Sequence, residues 1–144
     1  DVRAVVLDAF RVPSPPVGAG RAAAVAGATA MLDVSDGLLR DAGRIASASG
    51  VRLALDDPAD VLADEVALLS PVAAALGADA TRWVLTGGED HGMLATFPPG
   101  VALPDGFRTL GRVEELPTDG ARVTVAGRAV PAGGGWDHFG PGKD

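Results

Sequence analysis

The sequence lacks cysteine, and it holds a single lysine among its twelve basic residues. Without cysteine the chain can form neither a disulfide bond nor a thiolate metal site. The one lysine, Lys143, lies at the end of the chain. A Walker-type phosphate loop needs a lysine directly after its glycines, so this device is excluded. Any nucleotide chemistry in the chain must therefore use other groups to hold phosphate.

Basic charge and long apolar runs are also scarce. The formal net charge is -7 at pH 7 and the sequence pI is about 4.6, which disfavours the basic surface that nucleic-acid binding needs. No apolar run reaches the ~20 residues that span a membrane, and no secretory signal is visible at the N-terminus. We expect a cytoplasmic protein that binds neither nucleic acid nor membrane, and its acidic residues could attract cations.

The length and the apolar content together indicate one folded domain. The chain has 144 residues, of which 47% are hydrophobic, and a chain of this size can bury a substantial core. We predict a single domain over residues 1–144, with a polar tail at 140–144. The chain begins at Asp1 and its first methionine is Met31, so we expect it to be part of a longer product.

Short strands alternate irregularly with helices in the hydrophobic pattern. The best helix is predicted over residues 37–49, where apolar residues recur at helical spacing and Asp41 and Arg44 form an exposed ion pair. A further helix is predicted to begin at Ser70-Pro71. Strands are predicted over residues 29–34, 51–55, 91–97, 107–113, 122–125 and 128–130. The expected fold class is α+β, with a layered mixed β-sheet packed with helices.

The most informative stretch is residues 33–37, Asp-Val-Ser-Asp-Gly, where a predicted strand passes directly into the best helix. Asp33 and Ser35 are two apart on a strand and can share a face, while Asp36 lies where a helix N-terminus favours negative charge. Oxygen ligands suit hard cations and helix N-termini attract anions, so a metal and phosphate site is one interpretation. The alternative is that Ser35 or Asp36 only caps the helix. A cap does not explain Asp33, which ends a run expected to be buried.

Two further stretches combine glycines with functional groups. Residues 87–90, Gly-Gly-Glu-Asp, could let the backbone approach a ligand closely, or could form an ordinary turn before a strand. His91 follows them and has no histidine or cysteine partner nearby in the sequence, so it is weak support for a metal site. Residues 135–139, Gly-Trp-Asp-His-Phe, place Trp136 near the chain end, either as a hydrophobic anchor or as an aromatic face for a flat heterocycle.

Taken together, these three stretches resemble the C-terminal half of thiamine-monophosphate kinase. The family belongs to the aminoimidazole ribonucleotide synthetase superfamily, and the C-terminal domain of that superfamily is the implied fold. The resemblance covers nearly the whole chain, from the proline-rich residues 11–16 to residues 135–139, with the motifs in the family's order. The Ser-Asp-Gly-Leu form at residues 35–38 is the feature closest to the thiamine enzyme.

The resemblance implies an enzyme that transfers the γ-phosphoryl group of ATP to thiamine monophosphate and produces thiamine diphosphate. It implies Mg²⁺ as cofactor, ATP as co-substrate and a homodimer in the full-length enzyme. By matching positions, Asp33 and Asp36 are Mg²⁺ ligands, Ser35 contacts ATP, and Glu89 and Trp136 lie on the thiamine phosphate side. Beyond the metal ligands no catalytic residue is assigned.

The resemblance also has limits. Where the family usually has Tyr-Glu-Leu, this chain has His91-Gly92-Met93, so no role is transferred to those residues. The family's N-terminal half, which carries most of the Mg²⁺ ligands, is absent, and the isolated domain is expected to be inactive. Two alternatives remain open at this point: another ATP-dependent synthetase of the same superfamily, or a non-catalytic binding or scaffold module.

Overall fold

The computed structural model describes residues 2–89 and 91–130. Within these ranges helices and short strands alternate along the chain, as the hydrophobic pattern predicts. The order is α1 (Val2–Arg11), α2 (Ala19–Val25), β1 (Ala30–Val34), α3 (Leu38–Ser49), β2 (Val51–Leu55), α4 (Pro58–Val61), α5 (Ala63–Leu76), α6 (Ala80–Thr86), β3 (Gly92–Thr96), β4 (Gly111–Glu115), β5 (Val123–Val125) and β6 (Arg128–Ala129).

The strands form two separate sheets. Strands β1 and β3 pair antiparallel, with Asp33 opposite Met93 and Val34 opposite Gly92. The other four strands are ordered β4-β2-β5-β6. In this second sheet β2 is antiparallel to β4 and parallel to β5, and β5 turns into β6 as a hairpin. The predicted α+β class with mixed strand pairing is confirmed, and the strands divide between two sheets.

Helix α3 packs against both sheets and forms the centre of the core. Its apolar face presents Leu38, Ala42, Ile45 and Ala46, which lie buried with residues of β2 and β5. The helix ends where Gly50 adopts the left-handed conformation at φ 67°, as a C-terminal glycine commonly does. One well-placed amphipathic helix therefore joins the two sheets, and it fixes the position of the loop before it.

Two predicted element boundaries are wrong. Helix α5 runs through Pro71 without a break, so Ser70 does not start a helix; its hydroxyl donates instead to the carbonyl of Val66 at 2.6 Å. Strand β4 covers Gly111–Glu115 rather than residues 107–113. The ring of Phe107 packs edge-to-face on Phe97, with ring centroids 5.8 Å apart. This apolar residue therefore makes a contact from a loop and does not belong to a strand.

None of the helices in the described ranges has the length and apolar character that crossing a membrane requires.

Candidate functional site

Two loops meet at the end of the β1–β3 ribbon. The first site loop is residues 33–37, from the last two residues of β1 to the start of α3, and the second is residues 86–89 with His91, from the last residue of α6 to the start of β3. The amide of Glu89 donates to the carbonyl of Ser35 at 2.7 Å, and the amide of His91 donates to the carbonyl of Val34 at 2.9 Å. The antiparallel pairing of β1 with β3 thus places two of the three sequence motifs in direct contact.

Glycines allow this close approach. A Cβ atom at Gly37 would lie 2.7 Å from the carbonyl oxygen of Thr86, and one at Gly88 would lie 2.7 Å from the carbonyl oxygen of Ser35. Real Cβ atoms essentially never make such contacts. The glycines of both motifs are therefore required for the packing of the two loops, and an ordinary turn before a strand does not explain them.

The structure places four of the predicted site residues on these loops, with different surroundings. The Asp33 side chain is 55% exposed and its Oδ2 lies 3.3 Å from Nδ1 of His91. The expectation that Asp33 is buried is therefore wrong, because Asp33 is exposed near the end of β1, whereas the other residues of the strand are half-buried. Ser35 is half-buried and Glu89 is exposed. Asp36 is mostly buried and forms an ion pair with Arg44 of α3.

The helix-cap explanation of the first site loop is wrong. The N-cap position of α3 is Gly37, at φ 109°, and it has no side-chain capping hydrogen bond. Neither Ser35 nor Asp36 therefore serves as the cap, and their side chains are left for other contacts.

Asp41 overturns a third expectation. The sequence pattern predicts an exposed pair with Arg44, yet the Asp41 side chain is fully buried. Its Oδ2 accepts hydrogen bonds from the backbone amides of Ser35 and Asp36, each at 3.0 Å. Its Oδ1 accepts a hydrogen bond from Nη1 of Arg44 at 2.6 Å. Asp41 lies three residues after Leu38 and four before Ile45, so helical periodicity places it on the buried face. That spacing is the signal that could have found it.

Arg44 links the carboxylates of Asp36 and Asp41. Its Nη2 donates a hydrogen bond to Asp36, and its Nη1 donates one to Asp41. The hydrogen bond with Asp36 raises the pKa of Arg44 above its ordinary value, and the charges of Asp36 and Asp41 act in the same direction. The guanidinium therefore remains charged and helps to neutralise two neighbouring acids.

The donor set suits part of a magnesium site. Mg²⁺ in phosphoryl-transfer sites is typically held by one or two carboxylates, with phosphate oxygens and waters completing its shell. Asp33 and Asp36 supply carboxylates of that kind. Over residues 2–89 and 91–130, no group of three or more histidine, aspartate or glutamate side chains could by itself hold a metal ion. Trp136, the fifth predicted site residue, lies outside the described residues, as does Asp90.

The chain is similar in sequence to proteins named thiamine-monophosphate kinase. The chain is 51% identical over 129 residues to thiamine-monophosphate kinase of Mycobacterium tuberculosis, which covers 90% of the chain. It is 44% identical over 134 residues to the Corynebacterium glutamicum protein of the same name, which covers 93% of the chain. The chain is homologous to part of the thiamine-monophosphate kinases.

Solved structures of thiamine-monophosphate kinase share the fold. The crystal structure of the Aquifex aeolicus enzyme matches 90% of the chain with a TM-score of 0.71 at 25% identity. A structure of AaThiL complexed with AMPPCP and TMP matches 78% of the chain with a TM-score of 0.55 at 29% identity. No protein-family model matches the chain.

The match covers only a part of each thiamine-monophosphate kinase. The chain spans 37% of the Mycobacterium tuberculosis protein and 39% of the Corynebacterium glutamicum protein. In the structures it corresponds to 41% and 34% of the chains. More than half of each relative therefore has no counterpart in these residues.

Proposed function

We propose that this chain forms one wall of the active site of an ATP-dependent thiamine-monophosphate kinase, which produces thiamine diphosphate in the cytoplasm. The observation that carries the proposal is the contact between the two site loops, because it gathers Asp33, Ser35, Asp36 and Glu89 at one end of the β1–β3 ribbon. The 51% identity to a protein of that name supports the same activity. The complex of a related protein with AMPPCP and TMP supports ATP and thiamine monophosphate as the substrates.

Each predicted residue has a role in this proposal that its chemistry suits. Asp33 and Asp36 would hold Mg²⁺ together with phosphate oxygens. The hydroxyl of Ser35 would donate a hydrogen bond to ATP. Glu89 and Trp136 would lie toward thiamine monophosphate. Bound Mg²⁺ neutralises the charge that develops on the transferred phosphoryl group.

Direct transfer between two phosphates needs alignment and charge neutralisation more than covalent chemistry from the protein. The residues of this chain would supply alignment through the close packing of the two site loops. They supply negative charge at one edge, where cations are attracted. No general base is assigned, since the acceptor phosphate is itself ionised at neutral pH.

The test is an assay of the full-length protein that contains this chain. With ATP, Mg²⁺ and thiamine monophosphate, we expect thiamine diphosphate and ADP in equal amounts. Parallel assays for aminoimidazole ribonucleotide and selenophosphate synthesis are expected to give no product. Product in either of those assays, or no thiamine diphosphate, would refute the proposal.

We also propose that the rest of the enzyme packs against the apolar surface formed by Val17 and α2, and that the full-length enzyme is a homodimer. Val17 is 92% exposed and Val25 is 82% exposed, and an open groove of about 450 Å³ lies between α2 and residues 102–104. Exposed apolar surface of this kind is typical of contacts with another polypeptide. The occupant is the remaining part of the same enzyme, because the chain spans only 37% of a close relative.

A charged substitution tests this contact in the full-length protein. Val25→Glu is expected to lower both the melting temperature, by several degrees, and the urea midpoint, while light scattering should give the mass of a homodimer for the wild-type protein. Leu76→Glu, at a position 70% exposed on α5, is the matched control and is expected to change neither. Equal behaviour of the two variants would contradict the docking surface.

A further inference from the structure

A buried carboxylate lies directly beneath the proposed metal-binding loop. The Asp41 side chain has 0% exposure, and both of its oxygens have partners. Oδ2 accepts the amides of Ser35 and Asp36 at 3.0 Å, and Oδ1 accepts a guanidinium nitrogen of Arg44. These bonds tie helix α3 to the backbone of the first site loop.

General stability does not explain a charge at this position. Its neighbours on the α3 face are Leu38, Ala42 and Ile45, all buried. Burying a carboxylate is costly unless hydrogen bonds compensate, and well-packed apolar residues often serve as well or better than buried ion pairs. An apolar residue, however, could not accept hydrogen bonds from the amides of Ser35 and Asp36. The charge therefore fixes the path of the loop backbone, and charge-assisted hydrogen bonds suit this purpose.

The same network reaches the Asp36 side chain. Arg44 contacts Asp41 with one nitrogen and Asp36 with the other. Asp41 thus controls the first site loop in two ways: it holds the amides of Ser35 and Asp36 directly, and it orients the guanidinium that holds the Asp36 carboxylate. Groups that orient metal ligands in this way affect metal affinity or activity by about 10- to 100-fold when they are changed.

We propose that Asp41 is a positioning residue that sets the geometry of Ser35 and Asp36 for ATP and Mg²⁺. Its effect on the backbone follows from the structure alone, whereas its effect on catalysis rests on the proposed kinase function. Asp41 does not contact the substrates in this proposal, and it acts only through the loop and Arg44.

The experiment compares Asp41→Asn with Ile45→Val in the full-length protein. Asparagine keeps the shape of the side chain but replaces one acceptor oxygen with a donor, so it cannot satisfy both the loop amides and Arg44. We expect faster hydrogen exchange in peptides covering residues 33–37 of the metal-free protein. We also expect the Mg²⁺ concentration for half-maximal activity to rise and kcat to fall by about 10- to 100-fold, while KM for thiamine monophosphate changes little.

Ile45→Val is the control because Ile45 is buried on the same helix face, one turn further along. It is expected to lower the melting temperature while leaving loop exchange and Mg²⁺ dependence unchanged. If Asp41→Asn does not fold, Asp41→Ser, which leaves no buried charge and no steric conflict, is used with the same expectations.

Unchanged exchange in residues 33–37 would overturn the proposal, and so would faster exchange with wild-type Mg²⁺ dependence and kcat, because that result describes a structural role alone. If the wild-type protein does not phosphorylate thiamine monophosphate, the proposed function fails. The exchange comparison then still decides whether Asp41 holds the loop.

Discussion

Asp33→Ala in the full-length protein is expected to reduce kcat for thiamine diphosphate formation by at least about 100-fold, since even groups that only orient metal ligands cost up to about 100-fold when removed. In the proposed function the variant loses one of the two carboxylates, those of Asp33 and Asp36, that would hold Mg²⁺. Its side chain is 55% exposed, and its Oδ2 lies 3.3 Å from Nδ1 of His91, so the loss of packing is small. The fold should therefore persist while activity is lost.

The decisive measurement is the Mg²⁺ titration of activity beside the melting temperature. We expect the melting temperature to stay within a few degrees of wild type and excess Mg²⁺ not to restore the rate. Asp105→Ala, which removes the same charge from an exposed loop position, is the matched control and should retain full activity. Wild-type kinetics in Asp33→Ala would exclude Asp33 as a metal ligand.

The corner between β1 and α3 could be predicted because its signals are local. A bounded apolar run indicates a strand, apolar residues at helical spacing indicate a helix, and the polar residues lie between them. The pairing of β1 with β3 is not local. It joins Asp33 to Met93 across the chain, and nothing in either segment specifies the other. The contact between the two site loops is therefore available only from the structure or from the family resemblance.

Asp41 shows how a general rule can override a specific pattern. Helical spacing places it on the buried face, but aspartate is almost never fully buried unless it is paired, and this rule favours the exposed alternative. Its partners are the amides of Ser35 and Asp36. Every non-proline residue carries such an amide, so the residue type does not show which backbone amides will donate to a buried side chain. Backbone partners explain why a buried charge escapes prediction.

Gly37→Ala is expected to destabilise the protein by about 2–4 kcal/mol, from backbone strain and forced displacement of neighbouring backbone. Gly37 has φ 109° and ψ 144°, a conformation that residues with a Cβ rarely adopt. The new methyl group would also lie 2.7 Å from the carbonyl oxygen of Thr86. Because that carbonyl belongs to the backbone, relief requires the two site loops to separate.

Substitutions at two other glycines separate the cost of backbone strain from the cost of displacing neighbouring backbone. Gly50 has φ 67° and open space around it, so Gly50→Ala should cost only the left-handed strain of about 1–2 kcal/mol. Gly18 has φ -83°, and nothing lies within 4 Å of the position that a Cβ atom would take there, so Gly18→Ala should be neutral or slightly stabilising. Urea denaturation of the three variants should rank the losses in the order Gly37, Gly50, Gly18.

Kinase activity should also differ between Gly37→Ala and Gly50→Ala. Separation of the site loops would move Asp33 and Ser35 away from Glu89, so Gly37→Ala should lose kinase activity even at temperatures where it remains folded. Gly50→Ala should keep its activity when folded, because Gly50 follows the opposite end of α3 from the first site loop. A Gly37→Ala variant as stable and as active as Gly50→Ala would mean that the loops are not in contact, and the proposed active-site wall would fail with it.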